Sequence, residues 1–186
     1  MTASPPIKNP KIKRKKHRKR HKKQKSVPLL VFSSLVFITN VITALYKSDF
    51  IYAALFALLT ATSIAFHSKM RRIQCSALLG EYSNTYRYDL ASNFANVAIL
   101  DKLAIYSIVC YGFWSLYNLN LESNMGSYLW RGLILSTFCF CIWIYYYGYT
   151  EKQFCFHPNK KNSNHYHALL HMVGSIGHHM IILSKN

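Results

Sequence analysis

Five polar or ionisable residues stand inside otherwise apolar stretches of the sequence, and their types suit metal-assisted hydrolysis. They are Ser63, His67, Asp101, His167 and His171. Two pairs among them are four positions apart, so each pair shares one face of a helix. Three neutral imidazoles can hold a zinc ion and leave a fourth position open, as catalytic zinc sites do. A water molecule bound in such a position ionises near pH 7. Asp101 is then the candidate to orient or deprotonate that water, and Ser63 is the candidate to stabilise an oxyanion or position the water.

Five apolar windows must position these residues, and each is long enough to cross a bilayer. Roughly 20 helical residues span a hydrocarbon core of about 30 Å. With 51% hydrophobic and 15% aromatic residues, the composition is not that of a soluble domain. The last window is the least apolar, because four histidines interrupt it. The windows lie near 28-46, 50-67, 94-118, 127-149 and 166-184.

These windows predict an all-α fold, a polytopic transmembrane helix bundle of about five spans. The bundle occupies residues 28-186. Residues 1-27 are expected to form a disordered polybasic tail, since the run from Lys8 to Lys25 holds 12 of the 23 Lys and Arg residues.

The distribution of positive charge predicts how the bundle lies in the membrane. The tail and the predicted polar loops at 68-93 and 150-165 carry nearly all Lys and Arg residues, whereas Lys47 and Lys185 fall on the other side. The positive-inside rule therefore places the N terminus in the cytoplasm and the C terminus on the opposite side. All five polar candidates then lie in the cytoplasmic half of the membrane. An ionisable group there costs about 2.5 to 3.5 kcal/mol, so it usually faces the bundle interior and marks a site.

The basic tail suggests a second kind of partner. Beside a cytoplasmic leaflet, each Lys or Arg contributes about 1 kcal/mol of attraction to anionic lipid. Anionic lipid headgroups are therefore the expected partner of the tail, in preference to nucleic acid. A topology determinant that binds nothing specific explains the run equally well.

The order of the motifs resembles the CREST superfamily, which includes alkaline ceramidases, adiponectin and progestin receptors, and lipid hydrolases that remodel GPI anchors. The resemblance touches about 28-118 and 164-184, and five residues and their order carry it. The matching strings are TSIAFH at 62-67, LDKLA at 100-104 and HALLH at 167-171.

The resemblance implies an intramembrane zinc-dependent hydrolase that cleaves an amide or ester bond in a lipid, as a ceramidase or phospholipase does. It places His67, His167 and His171 on Zn²⁺, with Asp101 and Ser63 around the activated water. Family members typically have seven spans, whereas there is room for only one helix between the second and third motifs here. The connection between the first two motifs is also longer than the family pattern, which makes Asp89 an alternative to Asp101.

Other interpretations stay open at the level of sequence. The main alternative is a non-catalytic membrane receptor or membrane-remodelling protein that keeps the metal for stability. A nucleic-acid tether is a third. The expected location is a membrane of the ER or Golgi, or the plasma membrane.

Overall fold

The computed structural model describes residues 27–79, 84–119 and 124–185, with side chains at 29–69, 95–119 and 124–185. This part of the chain is almost entirely helical and contains no β-strand, which confirms the predicted all-α bundle. Most of the predicted polybasic tail lies outside the described residues. The elements are α1 (Val27–Ser34), α2 (Val36–Tyr46), α3 (Phe50–Leu79), α4 (Asn84–Tyr117), α5 (Met125–Glu151), a 3₁₀ turn (Phe154–Phe156) and α6 (Lys160–Leu183).

Four segments of the described chain are long and apolar enough to cross a membrane. They coincide with the first four predicted windows. The fifth window falls within α6, whose 24 residues have the length of a span but include many polar side chains. The chain is thus a multi-pass membrane bundle of four to five spanning helices. The four segments are Leu29–Tyr46, Phe50–Lys69, Ala95–Tyr117 and Met125–Glu151.

The connection between the second and third spans differs from the prediction. The polar segment 68-93 was expected to be a loop, but 68-79 continue α3 and 84-93 begin α4. Residues 68-79 include good helix formers such as Met70, Gln74 and Ala77. Their polarity therefore indicates that the helix leaves the bilayer here, and not that the helix ends. Asp89 is not among the residues whose side chains the structure describes, so its role as an alternative to Asp101 stays a prediction.

Two adjacent serines interrupt the first span. The hydroxyls of Ser33 and Ser34 both donate to the carbonyl of Leu30, at 3.0 and 2.9 Å. Beyond them the backbone N–H of Leu35 bonds to the carbonyl of Phe32, three residues back. Serine hydroxyls that bond to a preceding carbonyl often bend a helix. The break separates α1 from α2 and turns both serine oxygens towards neighbouring helices.

Helix α6 is the element around which the candidate site forms. α1, α2 and α5 all pack against it, while α3 packs against α1, α2 and α4. The approach of α5 is close because a Cβ at Gly177 would overlap the Oγ1 atom of Thr137. Small residues at helix contacts permit this approach in membrane bundles. The first span, which consists of α1 and α2, and the span formed by α5 thus both pack against the histidine-bearing helix.

A polar cluster joins the helices at the start of α3. The ammonium group of Lys185 lies 2.5 Å from Asp49 Oδ2 and donates to Ser115 Oγ at 2.9 Å. The hydroxyl of Tyr111 and the backbone N–H of Tyr52 donate to Asp49 Oδ1, at 3.1 and 3.0 Å. The cluster connects the α2–α3 turn, α4 and the residues after α6. It lies about 25 Å along α3 from His67, by the helical rise.

This cluster predicts a pH dependence of stability. Burial raises the pKa of the Asp49 carboxyl, but hydrogen bonds from Lys185, Tyr52 and Tyr111 and the charge of Lys185 outweigh burial and lower it. Because the folded pKa lies below the unfolded value of about 3.9, the carboxylate stabilises the fold above that pH. This stabilisation is lost as the pH falls through the folded pKa.

The melting temperature in detergent, followed by circular dichroism, should therefore fall from pH 6 to about pH 3 by more in the unmodified protein than in Asp49→Asn. The Asp49→Asn variant should already melt at a lower temperature at pH 6. Glu151→Gln, which changes an exposed carboxyl, should retain the full acid sensitivity. Equal acid sensitivity in Asp49→Asn and the unmodified protein would contradict this account.

Candidate metal centre

Three histidines from two helices far apart in sequence meet in the bundle. His67 comes from α3, and His167 and His171 come from successive turns of α6. Their ring centroids are 5.2 Å (His67 and His167), 5.6 Å (His67 and His171) and 4.9 Å (His167 and His171) apart. One nitrogen of each ring lies within 4.8 Å of the other two. The three predicted metal ligands therefore share one small space.

A shared tetrahedral ion would require these nitrogens to move closer together. Two nitrogens that each lie about 2.05 Å from one zinc ion are roughly 3.3 Å apart. Ring movements of about an ångström are therefore enough to turn the observed cluster into a coordination set. Rotations about the side-chain torsions of histidine can supply such movements without a change in the backbone.

The surroundings of His67 are the observation that best fits a bound metal. Its side chain is only 2% exposed. Neither ring nitrogen has a hydrogen-bond partner among the described residues. A buried polar group without a partner costs about 1 to 3 kcal/mol, and a neutral imidazole carries one donor and one acceptor. A ligand that uses the acceptor nitrogen would remove much of this cost.

His171 is the member of the trio that is held by another side chain. Its Nδ1 atom lies 2.9 Å from the hydroxyl oxygen of Ser33 on α1. Its ring also packs against Phe37, with the centroids 5.1 Å apart. The first span thus contributes a polar contact and an apolar wall to the site.

Ser63 is buried one helical turn from His67, as predicted, but its hydroxyl contacts α1. Its oxygen lies 2.9 Å from that of Ser34. While Ser34 donates its hydrogen to the carbonyl of Leu30, Ser63 is the donor in this pair. Its hydrogen can reach an oxyanion only after this bond is released.

Asp101 is also buried near the same part of α3. Its Oδ1 atom accepts a hydrogen bond from the hydroxyl of Thr62, next to Ser63 in sequence, at 3.1 Å. The same hydroxyl also lies 3.2 Å from the carbonyl of Leu59. Its carboxylate does not belong to the group of three ligand nitrogens. The structure therefore brings the three histidines together and places Asp101 on the neighbouring helix beside Thr62.

Sequence reasoning missed the serines of α1. Ser33 and Ser34 are adjacent polar residues in an apolar run, and this is the signal that marks them. Another buried histidine, His178, is not part of the trio. Its Nδ1 atom lies 3.1 Å from the hydroxyl of Tyr52, and its ring packs against Phe56 and Phe138. This environment suits a packed and hydrogen-bonded core residue.

Comparisons with known proteins identify no relative of this chain. No protein-family model, curated protein or solved structure matches the chain. The likeness to the CREST superfamily therefore stays a prediction, carried by five residues and their order along the chain.

Proposed function

We propose that this protein is an intramembrane zinc-dependent hydrolase that cleaves an amide or ester bond in a lipid. The convergence of His67, His167 and His171 carries the proposal, together with the buried His67 ring, whose two nitrogens have no hydrogen-bond partner in the part of the chain that the structure describes. Three imidazoles are a ligand set of catalytic zinc sites. Zinc bound there would supply a Lewis acid that polarises a carbonyl and lowers the pKa of water.

Asp101 and Ser63 have side chains whose chemistry suits hydrolysis. Asp101 is the proton acceptor for the attacking water, and the Thr62 hydroxyl orients its carboxylate. Ser63 donates to the oxyanion that develops on the substrate carbonyl, after its hydroxyl turns away from Ser34. His67, His167 and His171 would hold the metal through neutral imidazoles.

A lipid is the substrate that such a site can obtain directly from its surroundings. The membrane-spanning parts of α4 and α5 expose large apolar side chains such as Leu103, Leu133 and Trp143. Such apolar surfaces are suited to face acyl chains in a bilayer, so lipid is the molecule that surrounds the bundle. The bilayer is accordingly the proposed partner of the helices, and anionic headgroups are the proposed partner of the basic tail.

The direct test is the release of fatty acid by the purified protein. In lipid nanodiscs that contain ceramide or phospholipid, mass spectrometry should detect free fatty acid in proportion to the amount of protein. A chelator should stop the release, and added Zn²⁺ should restore it. A preparation that holds stoichiometric zinc but releases no fatty acid from either lipid class would refute hydrolysis of these substrates.

A non-catalytic membrane protein with a structural metal is the second candidate. It is favoured by the contacts of Ser63 and Asp101, which both bond to polar side chains as ordinary helix-packing residues do. In that case metal removal would lower the melting temperature, and Asp101 would matter for stability alone.

A further inference from the structure

The contact between Ser33 and His171 determines which nitrogen of His171 is free. We infer that Ser33 is a positioning residue that holds the His171 ring with its proton on Nδ1, so that Nε2 is the atom that binds the metal. The inference deepens the proposed function and rests on it for the identity of the ion. The tautomer itself does not depend on that function.

The hydrogen count of Ser33 carries the inference. A serine hydroxyl has one hydrogen to donate. That hydrogen is donated to the carbonyl of Leu30 at 3.0 Å, because a carbonyl oxygen can only accept. The same hydroxyl oxygen lies 2.9 Å from His171 Nδ1. With both contacts formed at once, Ser33 accepts in the second contact and Nδ1–H of His171 donates.

The consequence for His171 is that one particular nitrogen is left to bind the metal. A neutral imidazole carries its hydrogen on one nitrogen and a lone pair on the other. With Nδ1 protonated and bonded to Ser33, the lone pair of His171 lies on Nε2. Metal-binding histidines commonly donate their second nitrogen to a neighbouring acceptor, and loss of that acceptor weakens metal binding by about 10- to 100-fold.

The break in the first span explains how α1 presents this acceptor. Ser33 and Ser34 bond back to the same carbonyl, and their oxygens then contact different helices. Ser34 contacts Ser63 on α3, whereas Ser33 contacts His171 on α6. Ser34 is thus a matched control for Ser33. It has the same residue type and the same bond to Leu30, but its other hydrogen bond in the described chain goes to Ser63 and not to a histidine of the trio.

The first test measures the tautomer without metal. The ¹⁵N NMR spectrum of histidine-labelled, metal-free protein in nanodiscs, at about pH 8 to keep imidazoles neutral, distinguishes Nδ1–H from Nε2–H. A His171→Gln variant assigns the signal. We expect Nδ1–H at His171 in the unmodified protein and in Ser34→Ala, and a mixture of tautomers in Ser33→Ala. Nε2–H in the unmodified protein would overturn the inference, as would an unchanged tautomer in Ser33→Ala.

The second test measures metal affinity with Zn²⁺ in competition with a chromophoric chelator. Ser33→Ala should bind Zn²⁺ about 10- to 100-fold more weakly, and Ser33→Thr, which keeps the hydroxyl, should recover most of the affinity. Ser34→Ala should change the affinity by less than about threefold. Equal affinities in Ser33→Ala and the unmodified protein would overturn the positioning role. Circular dichroism and size-exclusion profiles establish that each variant is folded.

The two tests separate this inference from the proposed function. If the protein binds Zn²⁺ in the expected Ser33-dependent manner but releases no fatty acid, the hydrolase proposal fails and the role of Ser33 stands. If fatty acid is released while Ser33→Ala alters neither tautomer nor affinity, the role of Ser33 fails and the hydrolase stands.

Discussion

Replacement of His167 and His171 together by alanine should remove the zinc from the purified protein, from about one ion per chain to none. The double variant leaves His67 as the only member of the trio. One imidazole cannot retain an ion that three ligands hold, since catalytic zinc sites use three protein ligands. Elemental analysis by inductively coupled plasma mass spectrometry, after purification without added chelator, measures the change.

A histidine on the same helix offers a control for this experiment. His165 is exposed, and its ring contacts the carbonyl of Lys161 within its own helix. His165→Ala should therefore keep the full zinc content. If the unmodified protein and His165→Ala carry zinc, and the double variant carries it equally, the ion binds elsewhere and the trio is not the metal centre. An unmodified protein that takes up no Zn²⁺ on titration would exclude the site altogether.

Replacement of Asp101 by asparagine should lower the turnover of a lipid substrate by about 10² to 10⁴-fold while the zinc content stays unchanged. Asparagine has nearly the same shape as aspartate, and its carbonyl oxygen can still accept the hydrogen bond from Thr62. It cannot accept a proton from water as a carboxylate does. Fatty acid release and elemental zinc, measured on the same preparation, separate the loss of chemistry from the loss of metal.

The neighbouring Lys102→Gln variant is the control for Asp101→Asn, because Lys102 is exposed on the same turn of α4. It should keep both turnover and zinc. Unchanged turnover in Asp101→Asn would remove Asp101 from the mechanism. If Asp89→Asn then lost turnover, the proton acceptor would be Asp89, the alternative that the sequence left open.

The two variants together also distinguish the enzyme from the non-catalytic alternative. A structural metal site predicts that loss of His167 and His171 lowers the melting temperature. It also predicts that Asp101→Asn, whose amide oxygen can keep the hydrogen bond from Thr62, changes little. A hydrolase predicts full zinc, a nearly normal melting temperature and lost turnover in Asp101→Asn. The relative change in turnover and stability therefore decides between the two functions.

The helices could be predicted from the sequence because membrane spans are a local property. A run of about 20 apolar residues needs no distant partner to form a helix in a bilayer, since every backbone group is satisfied within the segment. The four-residue spacing within the motifs likewise predicted shared helix faces at 63 and 67, and at 167 and 171. Local reasoning was wrong at 68-93, where polar residues were read as a loop although both described parts are helical.

The meeting of His67 with His167 and His171 was decided by packing that no local pattern encodes. The sequence determined that buried polar residues of these types exist on helical faces, since hydropathy and periodicity reside in neighbouring residues. Only the tertiary structure placed α3 and α6 so that the three rings adjoin. It alone also brought Ser33 of the first span to His171, 138 positions away. Such contacts depend on how whole helices dock, and their energies come from residues distant in the chain.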